Sequence, residues 1–288
     1  MPYFAYKFLL HGLLRLPDPF FAALFVLVHL VYKALHMKRA YGRVIGHLQK
    51  CGFSERTPGV TARDVFKSLY WNGIDSYRLL ARIPSATRRV RYENEQVIQS
   101  AVAQGPVVAM SIHQGAFENM HRTLCRYSEH VHLVTNTFKS GGLTRALREV
   151  RSDPHLSEYS PEDVGKVIRN LFKTKGILAM VVDQARNTKG NLVQLFGRDT
   201  TIYLRLAVKA NQMGAGVVTF RTFSETVTGP HGGKRREHVV RFEKYYPPRF
   251  DQNELVQSIA KEIESWIADH PEQWCWNYHR NFTTQDNS

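Results

Sequence analysis

Residues 107–121 read VVAMSIHQGAFENMH. Six residues with almost no polarity run straight into His113, and Glu118 follows five positions later. A short apolar run closed by a turn signal, here Gly115, predicts a buried strand over 107–112. The same pattern recurs downstream, where GILAMVV at 176–182 runs into Asp183 and Gln184. Further apolar strands are predicted at 131–135 and 216–223, with helical stretches between the strands at about 115–127, 162–174 and 201–213. That alternation is the mark of βαβ units around a largely parallel sheet. A hairpin is expected over 220–243 through TGPHGGK, and an amphipathic helix over 252–269 closes the fold. Upstream, 40–82 reads as helical, with Thr61 or Asp64 opening ARDVFKSLYWNGIDSYRLLARI and Pro84 ending it. No repeat, low-complexity segment or Pro/Gly/Ser-rich linker divides the chain.

In open α/β sheets ligands gather at the carboxyl ends of the strands. If the two strands are parallel, His113 and Asp183–Gln184 share one edge. The spacing of Glu118 leaves two readings open. On a regular helix, residues five apart point about 140° from each other and do not meet. They meet only if His113 sits in the turn before the helix and Glu118 in its first turns. There the carboxylate holds one imidazole nitrogen and leaves the other to accept a proton. The plainer reading is a histidine that caps a helix. Other chemistries lack their motifs. There is no G-x-S-x-G elbow and no H-E-x-x-H. Glu118 and His121 form one Glu-x-x-His, but a di-iron site needs two. GPHGGKRR at 229–236 lacks P-loop spacing and reads as an exposed turn.

The length of 288 residues suits one large α/β domain with or without an appendage, and 43% hydrophobic content excludes wholesale disorder. A net charge of +14 and a pI near 9.8 favour anionic partners: nucleic acid, lipid headgroups or an acidic carrier protein. Cys51, Cys125 and Cys275 lie far apart with no C-x-x-C, which argues against a disulfide framework or structural zinc and suits a reducing compartment.

The most apolar run, FFAALFVLVHLVY at 20–32, is shorter than the roughly twenty residues that cross a bilayer squarely. Basic residues follow it where a signal peptide would be cleaved. It is either a buried N-terminal helix or, the reading preferred, a membrane anchor, as a short tilted span or lying in the interface. Tyr3, Phe4, Tyr6, Phe20, Phe21 and Tyr32 would flank it as interfacial aromatics, with Lys33, Lys38, Arg39 and Arg43 at the cytoplasmic headgroups. The expected organisation is therefore an anchor over 1–40 and a catalytic domain over 41–288.

Three blocks together carry a family resemblance. The His-x4-Glu of HQGAFE resembles the H(X)4D/E motif of the lysophospholipid and lipid A acyltransferases. GILAMVVDQARNTKGNLVQLFGRDTT is similar to the DQ…KG…FVPFFG…T segment of the lipid A lauroyl/myristoyl branch, and HPEQWCWNYHRNF resembles that branch's PEQYLW.HRRF ending. The likeness covers nearly the whole chain. It implies an α/β fold of the glycerol-3-phosphate acyltransferase-like kind, a mostly parallel sheet flanked by helices, here with an N-terminal hydrophobic anchor helix.

The implied enzyme moves a fatty acyl chain from acyl-carrier protein or acyl-CoA to a hydroxyl of a lipid, lipid A-type or another glycolipid or lysolipid. It would work at the cytoplasmic face of a bacterial inner membrane. His113 would be the general base and Glu118 would orient and stabilise its imidazolium. Asp183 and Gln184 match the family's DQ and would shape the acceptor or carbonyl pocket. Arg151 matches an arginine that could hold a phosphate, and Arg280 would be structural. No cofactor or metal is implied, the acyl thioester being a co-substrate. Gln194 and Leu195 replace the family's proline and phenylalanine, Ala185 stands where an acid often follows DQ, and Trp274 where tyrosine is usual. The segment between Arg151 and Val182 is also shorter than in typical lipid A enzymes. These departures fall on the acceptor side. The rival reading is a basic nucleic-acid-binding protein using TRRVRY at 87–92 and GKRREH at 233–238; a catalytically dead membrane scaffold of the same fold is the third.

Overall fold

The computed structural model describes residues 3–4, 12–34, 38–55, 59–135, 141–184, 190–228 and 232–276. In chain order the helices are α1 (Asp18–Ala34), α2 (Lys38–Lys50), α3 (Ala62–Leu80), α4 (Pro84–Thr87), α5 (Glu95–Gln104), α6 (Met120–Leu124), α7 (Gly141–Arg151), α8 (Val164–Thr174), α9 (Arg205–Gln212) and α10 (Gln252–Asp269). The strands are β1 (Val90–Glu93), β2 (Val107–Ser111), β3 (Val131–Val134), β4 (Leu156–Tyr159), β5 (Ile177–Val181), β6 (Asn191–Leu195), β7 (Arg198–Ile202), β8 (Gly216–Thr228) and β9 (Lys234–Tyr246). Single 3-10 turns cover Phe117–Asn119, Pro161–Asp163 and Pro271–Gln273.

The main sheet has seven strands in the order β1-β9-β8-β2-β5-β3-β4. β8, β2, β5, β3 and β4 run parallel; β9 returns antiparallel to β8, and β1 joins it in parallel. The mostly parallel α/β sheet read from the sequence is the sheet observed. Every residue of β2 is buried, because both faces of the sheet are covered. Val107 and Ala109 pack with Ile98, Leu124 and Phe220 on one side. Val108, Met110 and Ile112 pack with Leu171, Ala207 and Ile263 on the other. Each of the Val, Leu, Ile, Met and Phe side chains among these contributes about 1.5–3 kcal/mol by leaving water.

The structure departs from the sequence reading in definite places. The helical stretch at 40–82 is two helices. α2 ends at a turn where Gly52 takes φ +71°, and α3 starts from Thr61, whose side chain accepts from the Asp64 N–H while the Asp64 carboxylate accepts from the Thr61 N–H. The expected helix at 201–213 begins as β7, which pairs with β6 across a two-residue turn; Phe196 and Gly197 there have φ of 55° and 69°, the left-handed pair that suits a tight hairpin. β1 and β4 are four-residue edge strands, half-buried along most of their length, and carry too weak an alternation to read locally.

The spanning form of the expected anchor needs correction. The apolar run forms α1, whose 17 residues rise about 25 Å, short of the roughly 30 Å hydrocarbon core. Among the described residues no helix is long and apolar enough to cross a membrane. Phe21 and Phe25 of α1 are buried, Phe25 packs on Tyr70, and the Tyr70 hydroxyl donates to the Phe21 carbonyl (2.8 Å), so the helix is docked on α3. Its outer face nonetheless leaves Phe20, Val26, Leu27, Val28, Leu30 and Val31 exposed. Tyr6, His36, Ala185, Arg280 and the hairpin turn at 229–231 lie outside the described residues.

Candidate active site

β2 and β5 are paired in register, Ser111 beside Val181, and the Val182 N–H donates to the Ser111 carbonyl (3.0 Å) one step further. Continuing that register sets His113 beside Asp183 at the carboxyl ends of two adjacent central strands. Their side chains meet: Nδ1 of His113 lies 2.6 Å from Oδ1 of Asp183. Oδ2 of Asp183 accepts from the His113 backbone N–H (3.1 Å) and from the indole Nε1–H of Trp274 (2.8 Å). Asp183 is 1% exposed, so its charge is held by these donors rather than by water. A carboxylate at Nδ1 selects the tautomer with the proton there, leaving Nε2 as the acceptor. The Gln184 amide nitrogen is 3.5 Å from that Nε2, and the Phe117 ring stands edge-on to the imidazole at 4.6 Å.

Glu118 was expected to hold one imidazole nitrogen; the carboxylate at Nδ1 is that of Asp183. Glu118 stands in the 3-10 turn after His113, and its Oε2 accepts from Nη2 of Arg151 at 2.9 Å. The turn between them explains the geometry. Gly115 has φ +58°, and a Cβ there would lie 2.4 Å from the Thr222 carbonyl oxygen, so the chain bends tightly against β8 before the 3-10 turn starts. Arg151, expected to reach for a phosphate, is buried and turned inward to Glu118. His121 and Glu158 gather near the same guanidinium. Burial, reinforced by the charges of Arg151 and Arg122, pushes the His121 imidazole down to about 3, so it is neutral. Burial raises Glu158 above the usual carboxylate range against the pull of Arg151 and Arg148.

A second segment closes the site from behind. Trp274 makes an antiparallel bridge to Gln114, the Cys275 N–H donates to the His113 carbonyl (3.0 Å) and the Gly115 N–H donates to the Gln273 carbonyl (3.3 Å). The Gln273 side chain clamps the Ser224 backbone from both sides at 2.8 Å. Burial, then the nearby charges of Asp183 and Glu118, hold the Cys275 thiol well above its ordinary range, so it stays protonated. Trp274 was recognisable in the sequence only as a variant of a closing motif; nothing local marked it as a partner of Asp183.

A buried carboxylate at Nδ1 of an imidazole, with a neutral amide beside Nε2, is an arrangement that can perform general-base chemistry at a strand edge. The family sequence model for bacterial lipid A biosynthesis acyltransferases matches residues 81–284, well over half of the chain. The chain belongs to that family. No curated protein matches the chain.

Proposed function

We propose that this chain is a membrane-surface O-acyltransferase that moves a fatty acyl group from acyl-carrier protein or acyl-CoA to a hydroxyl of a lipid A-type, other glycolipid or lysolipid acceptor. The observation that carries the reading is the His113–Asp183 pair at the ends of β2 and β5. Nε2 of His113 takes the acceptor's hydroxyl proton as its oxygen attacks the thioester carbonyl. The C–O ester bond forms, the C–S bond breaks, and the imidazolium returns the proton to the thiolate. Asp183 stabilises the imidazolium through Nδ1, the part first expected of Glu118, and Glu118 with Arg151 fixes the turn that presents His113. Gln184 lies where it can steer the acceptor oxygen toward Nε2.

The exposed apolar face of α1 supports attachment in the plane of the cytoplasmic leaflet of a bacterial inner membrane, and the net charge of +14 suits anionic headgroups and an acidic carrier protein. In the nucleic-acid reading the runs at 87–92 and 233–238 would contact phosphates. Arg91 instead pairs with Glu93, Glu225 and Glu237, Arg235 with Glu237, and Arg236 with Asp75. The test is acyl transfer from a labelled thioester to extracted lipid, followed by mass spectrometry. His113→Ala should lose about 10²–10⁴-fold with its fold intact. Near-full activity of that variant removes His113 from the mechanism.

A further inference from the structure

Trp274 is fully buried, and a buried indole needs a partner for its one N–H. That partner is the carboxylate of Asp183, at 2.8 Å. The indole has little freedom to sit elsewhere. Its backbone is bridged to Gln114, the residues on either side are bonded to Gly115 and His113, and its ring stands edge-on to Trp276 at 4.6 Å. Trp276 is tied in turn by its Nε1–H to the Pro271 carbonyl (2.6 Å). A rigid N–H on Oδ2 therefore fixes the rotation of the carboxylate and leaves Oδ1 facing Nδ1 of His113.

We propose that Trp274 is a positioning residue of the catalytic pair, acting on His113 through Asp183. The inference rests on the general-base reading of His113. The indole N–H draws on the negative charge of the carboxylate. Without it the charge of Asp183 is less well satisfied, and the coupled Asp183–His113 pair takes up a proton more readily, whichever of the two carries it. Among the described residues, the Cys275 thiol feels the charges of both Asp183 and Glu118 and stays protonated, and Glu118 is held by Arg151. A Trp274→Phe change keeps an aromatic ring, removes the indole N–H and alters no ionisable residue.

The test compares the full chain with its Trp274→Phe variant, both checked for fold by circular dichroism. Proton uptake by His113 is followed by NMR of labelled imidazole, beside the pH–rate profile of acyl transfer. Uptake in the variant should move to higher pH by roughly one to two units, as expected for losing one hydrogen bond to a charged group. The acid limb of kcat should move with it, while KM for the donor stays within about twofold because the indole is fully buried. An unchanged His113 titration in the variant overturns the inference. A shifted titration with no acyl transfer by either protein upholds the positioning and sinks the acyltransferase reading instead. If the variant does not fold, the wild-type indole resonance decides: it should shift in step with His113, and an indole N–H that holds still while His113 titrates overturns the inference.

Discussion

Oδ1 of Asp183 lies 2.6 Å from Nδ1 of His113 although 70 positions separate the two residues. The separation is a consequence of register: β2 and β5 pair at that same offset along their whole length, so the residues just past their ends fall side by side. Asp183→Asn keeps the size but removes the charge that stabilises an imidazolium, and its amide can turn the imidazole to the wrong tautomer. Initial rates of acyl transfer should fall by about 10²–10⁴-fold with the fold retained. A rate within twofold of wild type would leave the pair without a catalytic role.

Glu118 and Arg151 form a second pair, with side chains 31% and 10% exposed. Glu118→Gln should cost less activity than Asp183→Asn, because the carboxylate is one contact removed from the imidazole. A double-mutant cycle with Arg151→Gln, read by urea denaturation, should give a coupling on the order of 0.5–3 kcal/mol. Additive effects would show that the contact carries nothing.

Gly115→Ala confronts both a positive φ of 58° and the Thr222 carbonyl oxygen 2.4 Å from the new Cβ. The backbone of β8 cannot yield as a side chain would. The variant should be destabilised by more than the roughly 1 kcal/mol typical of a point mutation, and activity should be lost with it. A thermal melt unchanged by the substitution would contradict the turn as described.

The outer face of α1 gives a prediction about attachment. Leu27 and Leu30 are each 59% exposed, so replacing both with Glu removes apolar surface without opening the core. Sedimentation with anionic vesicles should weaken markedly while stability shifts only about 0.5 kcal/mol per site. Undiminished sedimentation would place the membrane contact elsewhere.

Acid should destabilise the fold through its buried histidines. His121 is held down to about 3 from 6.5, by burial first, and burial also lowers His238. A histidine with a depressed folded value gives its full stability above 6.5. As pH falls from 6.5 toward 3, the unfolded chain gains the proton and the folded chain does not, so that stability is lost progressively. Each such group steepens the decline by at most about 1.4 kcal/mol per pH unit. Urea midpoints from pH 7.5 down to 5 should fall, and His121→Gln should flatten the slope. Equal slopes for the two proteins would refute it.

The central strands were legible because their signal is local. VVAMSI and GILAMVV are unbroken apolar runs, each ended by a reactive residue, and strands covered on both faces must look like that. The closing helix at 252–269 and the Thr61–Asp64 start of α3 were legible for the same reason, since periodicity and capping are written within a turn or two of chain. The two-residue turn at Phe196–Gly197 was missed because one of its left-handed positions is filled by an aromatic residue that does not announce a turn.

The sequence by itself determined the parallel α/β core, the identity of His113 as the residue at its edge, and the family. It did not determine which carboxylate meets that histidine. Glu118 was the local choice by spacing, and the 3-10 turn after Gly115 carries it to Arg151 instead. The contact with Asp183 exists only once β2 and β5 are in register, and the third member, Trp274, arrives from a segment 91 positions beyond Asp183. Such contacts are set by strand pairing and by the bridge from Gln114 to Trp274, neither of which leaves a pattern in neighbouring residues. The length and apolarity of the N-terminal run were likewise in the sequence; that one of its faces packs on α3 and the other faces outward was decided by the tertiary fold, because burial of Phe21 and Phe25 needs a partner helix.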